Sequence, residues 1–294
     1  MTEIKEIKSL KITPFTKMSA LICGILGLIT GLFILFGLLI LQATGIIPEL
    51  EHLNVVTGLG LPIIILFPIV AFFMGLATKF FFAMLYNILV PKLGGVKLEL
   101  ENDEVVKIPV ISFSLILATI ESIWAFIMGL VLAAVISPLF SIFSFMSTSP
   151  SISASFANAT GASMPTSVGI GATGIIVSTV LIIGLPILIF VYTFIRNALF
   201  AIFYNYVASR VSKIKLEFNK ISENLHELKK IPVIETALAV AIVYLLIGII
   251  TGILYANYAD FIVNFVFYFI EVGLIALLYN FLAPKIGMIK LNLE

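Results

Sequence analysis

Four side chains in this 294-residue sequence carry charge inside otherwise apolar stretches: Lys79, Glu121, Arg196 and Glu271. A Lys or Arg at the centre of a bilayer costs about 2.5 kcal/mol or more on insertion scales, so each such group is expected to face the protein interior and find a partner. Two chemistries follow. A set of charges can line a path for an ion, a proton or a polar solute; alternatively, Glu121 with Arg196 and Lys79 with Glu271 form buried ion pairs that fix how helices associate. The four sum to zero, and Lys79, Arg196 and Glu271 stand seven, eight and eight residues before a tyrosine, so one depth is charged three times. Ion pairing is the plainer reading.

Other reactive residue types are sparse. Cys23 is the single cysteine, and the two histidines, His52 and His226, lie in different loops, which excludes an internal disulfide and argues against a His/Cys metal site. The sequence has no Gly-rich phosphate loop followed by Lys and no nucleophile with a histidine partner, so neither a catalytic residue nor a cofactor nor a metal is expected, and the chain reads as a non-enzyme. Asn158-Ala-Thr160 is the one Asn-x-Ser/Thr sequence and a candidate glycosylation acceptor.

The elements that must position these residues are set by the bilayer. With 61% hydrophobic and 11% charged residues and a mean hydropathy of +1.20, the chain lies far from the soluble range, where about a quarter of residues are charged. Met18 to Leu41 is 24 residues without a charge, or about 36 Å of helix, enough for a hydrocarbon core of about 30 Å. That run is too long for a signal-peptide core and reads as a retained anchor. Six spans are expected, at roughly 18–41, 62–90, 110–136, 173–207, 234–255 and 261–282. Of 17 Lys and Arg residues, 15 fall before the first span, in 92–107, in 209–230 or after the last span, and none falls in the opposite loops. This asymmetry predicts a multi-pass protein of the cell membrane with both termini cytoplasmic.

Self-similarity then divides the chain into three tandem two-helix units, residues 1–101, 102–219 and 220–294. The even helices end alike, in Tyr86-Asn87, Tyr204-Asn205 and Tyr279-Asn280, with Pro91-Lys92 and Pro284-Lys285 five and six residues after the first and third tyrosines. The plain reading is an anchor at headgroup level, since Tyr favours that depth, Lys faces anionic lipid, and Pro and Gly stop helices. Each unit also starts alike: Lys11-Ile-Thr-Pro14, Lys107-Ile-Pro109 and Lys230-Ile-Pro232. Behind the first exit, Val96-Lys-Leu-Glu-Leu-Glu101 alternates with period two, and Asn102-Asp103 separates it from Val105-Val-Lys-Ile, a hairpin signal. Similar stretches at 213–218 and 287–293, with lead-in strands near 8–12 and 229–233, predict a small cytoplasmic β platform. The insert 219–228 is expected to add a short amphipathic helical turn.

The lead-in Lys-Ile-x-Pro-x-(Ser/Thr) of Lys11 to Thr16, and the exit from Tyr86-Asn87 through Gly94-Gly95 to an alternating strand ending at Glu101, resemble the actinobacterial two-helix transmembrane domain of unknown function. Those proteins carry the unit once. The resemblance implies an all-α transmembrane fold, here a six-helix bundle of three parallel two-helix repeats with pseudo-threefold symmetry, and it implies no activity. It is blurred in the second unit, where Ala208-Ser209-Arg210 replaces the Pro-Lys pattern.

Small residues recur four apart in the odd helices, at Gly27 and Gly31, Gly129 and Ala133, Gly248 and Gly252. Such spacing lets backbones approach closely, and contacts between units are expected there. The Ser, Thr, Ala and Gly-rich stretch 137–174 is expected to form a long outer loop. The expected partners are the lipid bilayer and another membrane component rather than nucleic acid, in a structural, assembly or partner-binding role. The competing class is a small-solute or ion transporter or channel, although the sequence lacks the inverted repeat common among transporters.

Overall fold

The computed structural model describes residues 2–45, 55–148, 158 and 174–294. Six helices are long and apolar enough to cross a membrane. We label them α1 (Ile12–Thr44), α2 (Leu61–Leu93), α3 (Val110–Thr148), α4 (Leu185–Phe203), α5 (Val233–Tyr255) and α6 (Asp260–Ile286). Helix α4 is flanked by π-helical turns at Val180–Gly184 and Tyr204–Ala208. At 33 residues, α1 and α2 are each about 50 Å long and exceed the bilayer core. Helix α3 runs to Thr148 with Pro138 inside it, shortening the expected outer loop; the rest of that loop, residue 158 excepted, and His52 in the first outer loop lie outside the described residues. Pro91 and Pro284 also sit inside their helices, so proline does not stop them. Gly94 and Gly287 do, at φ +82° and +102°, a region that favours glycine.

The chain forms two compact units, Met1–Ile116 with Leu199–Glu294, and Leu117–Ala198. These differ from the three sequence units because strands from all three pair in one sheet. That sheet lies in the larger unit and contains β1 (Glu3–Leu10), β2 (Val96–Glu101), β3 (Glu104–Lys107), β4 (Glu217–Lys220), β5 (Leu225–Lys230) and β6 (Lys290–Leu293), in the order β3-β2-β1-β6-β5-β4. Every pairing is antiparallel. The two ends of the row also meet. Val105 N–H donates to Ile214 O (2.8 Å), Leu216 N–H donates to Asp103 O (2.9 Å), and Glu104 stands opposite Lys215. Residues 214–216, directly ahead of β4, thus bridge to β3 and bring the two ends of the row together into a ring, which shortens the exposed edge that could template aggregation.

Local chemistry accounts for the hairpins. Asn102 and Asp103 adopt φ of 51° and 63°, the two-residue turn that the strand twist favours and that these residue types tolerate. The insert 219–228 does not form the expected helical turn: β4 runs through Lys220 and β5 begins at Leu225. Leu225, His226 and Glu227 pair with β6, and backbone ladders on both sides of β5 override the weak amphipathic pattern.

Helix packing follows membrane rules. Lipid is as apolar as leucine, so helices associate through close van der Waals contact at small residues. In the larger unit Ala20, Ala83, Ala201, Ala239 and Ala241 are completely buried, whereas Phe73 (62% exposed) and Ile262 (58%) face outward. The glycines settle a different contact from the expected one. A Cβ on Gly27 would stand 2.6 Å from Ala71 Cβ, one on Gly31 3.3 Å from Ile63 O, and one on Gly248 2.7 Å from Phe261 Cα. Gly252 approaches Asn257, and in the smaller unit Gly129 lies against the Leu181 carbonyl, while Ala133 is buried. Gly27, Gly31, Gly129 and Gly248 thus pack against the other arm of their own hairpin, and Gly252 against the turn that follows its helix, rather than against a neighbouring unit.

Candidate functional site

The three Tyr-Asn pairs form one arrangement three times, all in the larger unit. Tyr86 Oη donates to Ile7 O and accepts from Val96 N–H, while Asn87 Oδ1 accepts from Leu10 N–H (2.8 Å) and its Nδ2 donates to Leu10 O (2.9 Å). Tyr204 donates to Val105 O and accepts from Ile214 N–H, and Asn205 brackets Ile108 at 2.8 Å on both sides. Tyr279 donates to Leu228 O and accepts from Ile289 N–H, and Asn280 brackets Ile231 at 2.9 and 2.7 Å. In each case the tyrosine ties the helix exit to a strand and to the chain ten residues on, and the asparagine completes both backbone bonds of the residue three beyond that strand contact. A strand that turns into a helix leaves those groups without ladder or helix partners, and a carboxamide supplies one acceptor and one donor at the right spacing.

This corrects the anchor reading. The tyrosines are 3%, 0% and 1% exposed, so they face protein rather than headgroups. The hydrogen bonds also place Leu10 beside Ile108 and Ile231, which sets the first lead-in two residues earlier than matching Lys11-Ile12 to Lys107-Ile108 does. In that register Ala83, Ala201 and Ala276, three residues before each tyrosine, are all buried. The Ala-x-x-Tyr-Asn spacing is itself a sequence signal for close packing at this exit.

A second recurring contact joins the strands. Glu6 takes the Gly95 N–H (2.6 Å) and Lys8 (3.2 Å); Glu104 takes Lys213 (3.0 Å) and Lys215 (4.0 Å); Glu227 takes Lys290 (2.9 Å). Burial pushes the Glu6 carboxyl up, but the Gly95 amide, Lys8 and Lys97 together outweigh it and hold it below the ordinary 4.5. A carboxylate with a lowered folded value contributes stability that is present above 4.5 and lost as pH falls through the folded value. Glu6→Gln is therefore expected to lower the melting temperature most near neutral pH and to converge with wild type as pH falls towards about 3, which flattens the acid limb of a plot of melting temperature against pH.

Of the charges inside the spans, one expected pair forms. In the smaller unit Arg196 donates to Glu121 at 3.0 Å, Thr193 donates to the other Glu121 oxygen at 2.8 Å, and the Arg196 guanidinium lies 5.7 Å from the centre of the Tyr192 ring. Asn197, next to Arg196, is buried with its Nδ2 unpartnered. In the larger unit Lys79 is exposed and Glu271 half-buried, and neither has an ion-pair partner among the described residues. Asn158 is exposed.

Comparison with protein-family models, with curated proteins and with solved structures finds no match in any of the three. By length and composition of its helices, the chain is a multi-pass membrane protein.

Proposed function

We propose that this protein is a membrane scaffold: three parallel copies of a two-helix unit, fused in one chain, present a closed β ring on the cytoplasmic side for another membrane component to bind. The copies correspond to the unit that the actinobacterial domain carries once, and the reading is non-enzymatic. One observation carries it. Among the described residues, the fully buried positions of the larger unit are Met18, alanines, Tyr204, Val243 and a single polar residue, Ser114, with Lys79 exposed outside them, so the packed interior is almost wholly apolar and holds shape rather than a row of polar groups. Three identical Tyr-Asn ties lend the same support, since a fused homotrimer repeats its contacts about a threefold axis.

The transport reading draws on Glu121, Arg196 and Thr193, a hydrogen-bonded polar cluster within spanning helices. Reconstitution in liposomes separates the two. A scaffold leaves proton and potassium flux at the leak rate of empty vesicles, and photo-crosslinkers on the ring at Lys5 or Glu101 capture one discrete protein in native membranes while one at Phe73 captures lipid. Flux above leak that disappears in Glu121→Gln would establish transport instead. A reporter active only outside the cytoplasm, fused after Glu294, is expected to stay silent.

A further inference from the structure

The second Tyr-Asn exit differs from the other two, and the differences converge on one crevice. Counting from the tyrosine, Ser209-Arg210 stands where the first copy has Pro91-Lys92 and the third Pro284-Lys285. Lys213 stands where the first copy has Gly95 and the third Met288, so only the second copy places a cation there. This exit also contains the π-helical turn Tyr204–Ala208, a form that recurs at functional sites. It borders a cavity of about 510 Å³ in the larger unit, lined by Lys107, Tyr206, Ser209, Arg210, Lys213 and Glu99 among others.

Three cations face one carboxylate in that cavity. Lys107 is paired with Glu99 (3.3 Å) and Lys213 with Glu104 (3.0 Å). Arg210 is exposed and has no carboxylate within ion-pair distance among the described residues. It also lines an adjoining crevice of about 320 Å³, where Lys215 faces Glu104 and Glu235 stands at the rim. A guanidinium left open between two lysines suits a phosphate, which it meets with two parallel hydrogen bonds. The place in the fold supplies the source. The cavity sits where a spanning helix meets the strand ring, and its lining joins Tyr206 (66% exposed) to Pro109 and Val110, an aromatic of headgroup depth with apolar residues that acyl chains can cover. Basic pockets between helices at this level bind anionic headgroups.

We propose that this crevice binds a phosphate group, carried by the headgroup of an anionic phospholipid, with Arg210 as its principal ligand and Lys107, Lys213 and Ser209 around it. The inference rests on the chain lying in a bilayer and is independent of the scaffold reading, since lipid binding at Arg210 and partner capture by the ring are separate measurements. The test uses the full chain in detergent, native mass spectrometry and three probes: phosphatidylglycerol, phosphatidylcholine and sodium phosphate. Wild type is expected to retain phosphatidylglycerol in preference to phosphatidylcholine, and Arg210→Ala to weaken that retention about tenfold or more, the loss of one charge-assisted contact. Lys92→Ala and Lys285→Ala, at the matching positions, leave it unchanged. Arg210→Gln serves as the second variant, and melting in phosphatidylcholine micelles verifies that either variant is folded. No preference for phosphatidylglycerol, an unchanged Arg210→Ala, or equal losses at Lys92 and Arg210 overturns the site; displacement of the lipid by sodium phosphate, lost in Arg210→Ala, overturns the lipid as its source.

Discussion

Asn205→Ala lowers the unfolding free energy by about 2–4 kcal/mol, because it strands both backbone groups of Ile108 at about 1–3 kcal/mol for each buried group left unpaired. Asn205 Oδ1 and Nδ2 are the partners of the Ile108 N–H and C=O at 2.8 Å each, and the alanine methyl replaces neither. Tyr204→Phe tests the neighbouring tie. An anchor at headgroup depth tolerates phenylalanine with little change, whereas the clamp leaves Ile214 N–H without its acceptor. Amide hydrogen exchange reads each effect at a named site: protection of Ile108 falls in Asn205→Ala and protection of Ile214 falls in Tyr204→Phe. The same substitutions at Asn87 and Asn280 are expected to expose Leu10 and Ile231 in turn. If Asn87→Ala leaves the Leu10 amide as protected as in wild type, the equivalence of the three ties is wrong.

Gly129→Val is the second large effect. A Cβ at residue 129 runs into the Leu181 carbonyl oxygen with the Leu181 carbonyl carbon 3.0 Å away, and backbone cannot rotate aside as a side-chain tip does. The hairpin of the smaller unit must splay, at about 3 kcal/mol by the scale of overpacking in well-packed interiors. Gly37→Ala is the matched control. Nothing lies within 4 Å of a Cβ at Gly37, so the substitution gains helix propensity, about 1 kcal/mol at most. Denaturation in mixed micelles is expected to move the two midpoints in opposite directions. Equal destabilisation by both would show that the glycines act through helix flexibility and not through contact.

Some of this was legible from residues alone. Six spans follow from apolar runs, because transfer into lipid is summed residue by residue and needs no knowledge of partners. The Asn102-Asp103 turn and the strand after Gly95 were legible for a similar reason, since turn chemistry and period-two alternation act over a few residues. The Glu121–Arg196 pair was reachable because two opposite charges in lipid have few alternatives. The same logic pairs Lys79 with Glu271, yet neither has an ion-pair partner among the described residues, since charge type says nothing about which way a helix face turns.

What remained hidden depends on contacts between distant parts of the chain. Asn87 meets Leu10 across 77 residues and Tyr204 meets Val105 across 99, and no local pattern reports a partner that far away. The glycine spacing was visible, but whether Gly27 meets its own hairpin or a neighbour depends on which helix presents a residue such as Ala71 to it, and the spacing carries no sign of that. Insert 219–228 became strand because β5 found β4 on one side and β6 on the other. The charges at Lys79, Glu121, Arg196 and Glu271 stood out first in the sequence as candidates for chemistry. Hydropathy, a sum over neighbours, determined which segments enter the membrane and that both ends emerge with the basic loops. Tertiary hydrogen bonding decided that those ends and loops close into one ring, since a buried backbone group must be satisfied wherever in the chain its partner happens to lie.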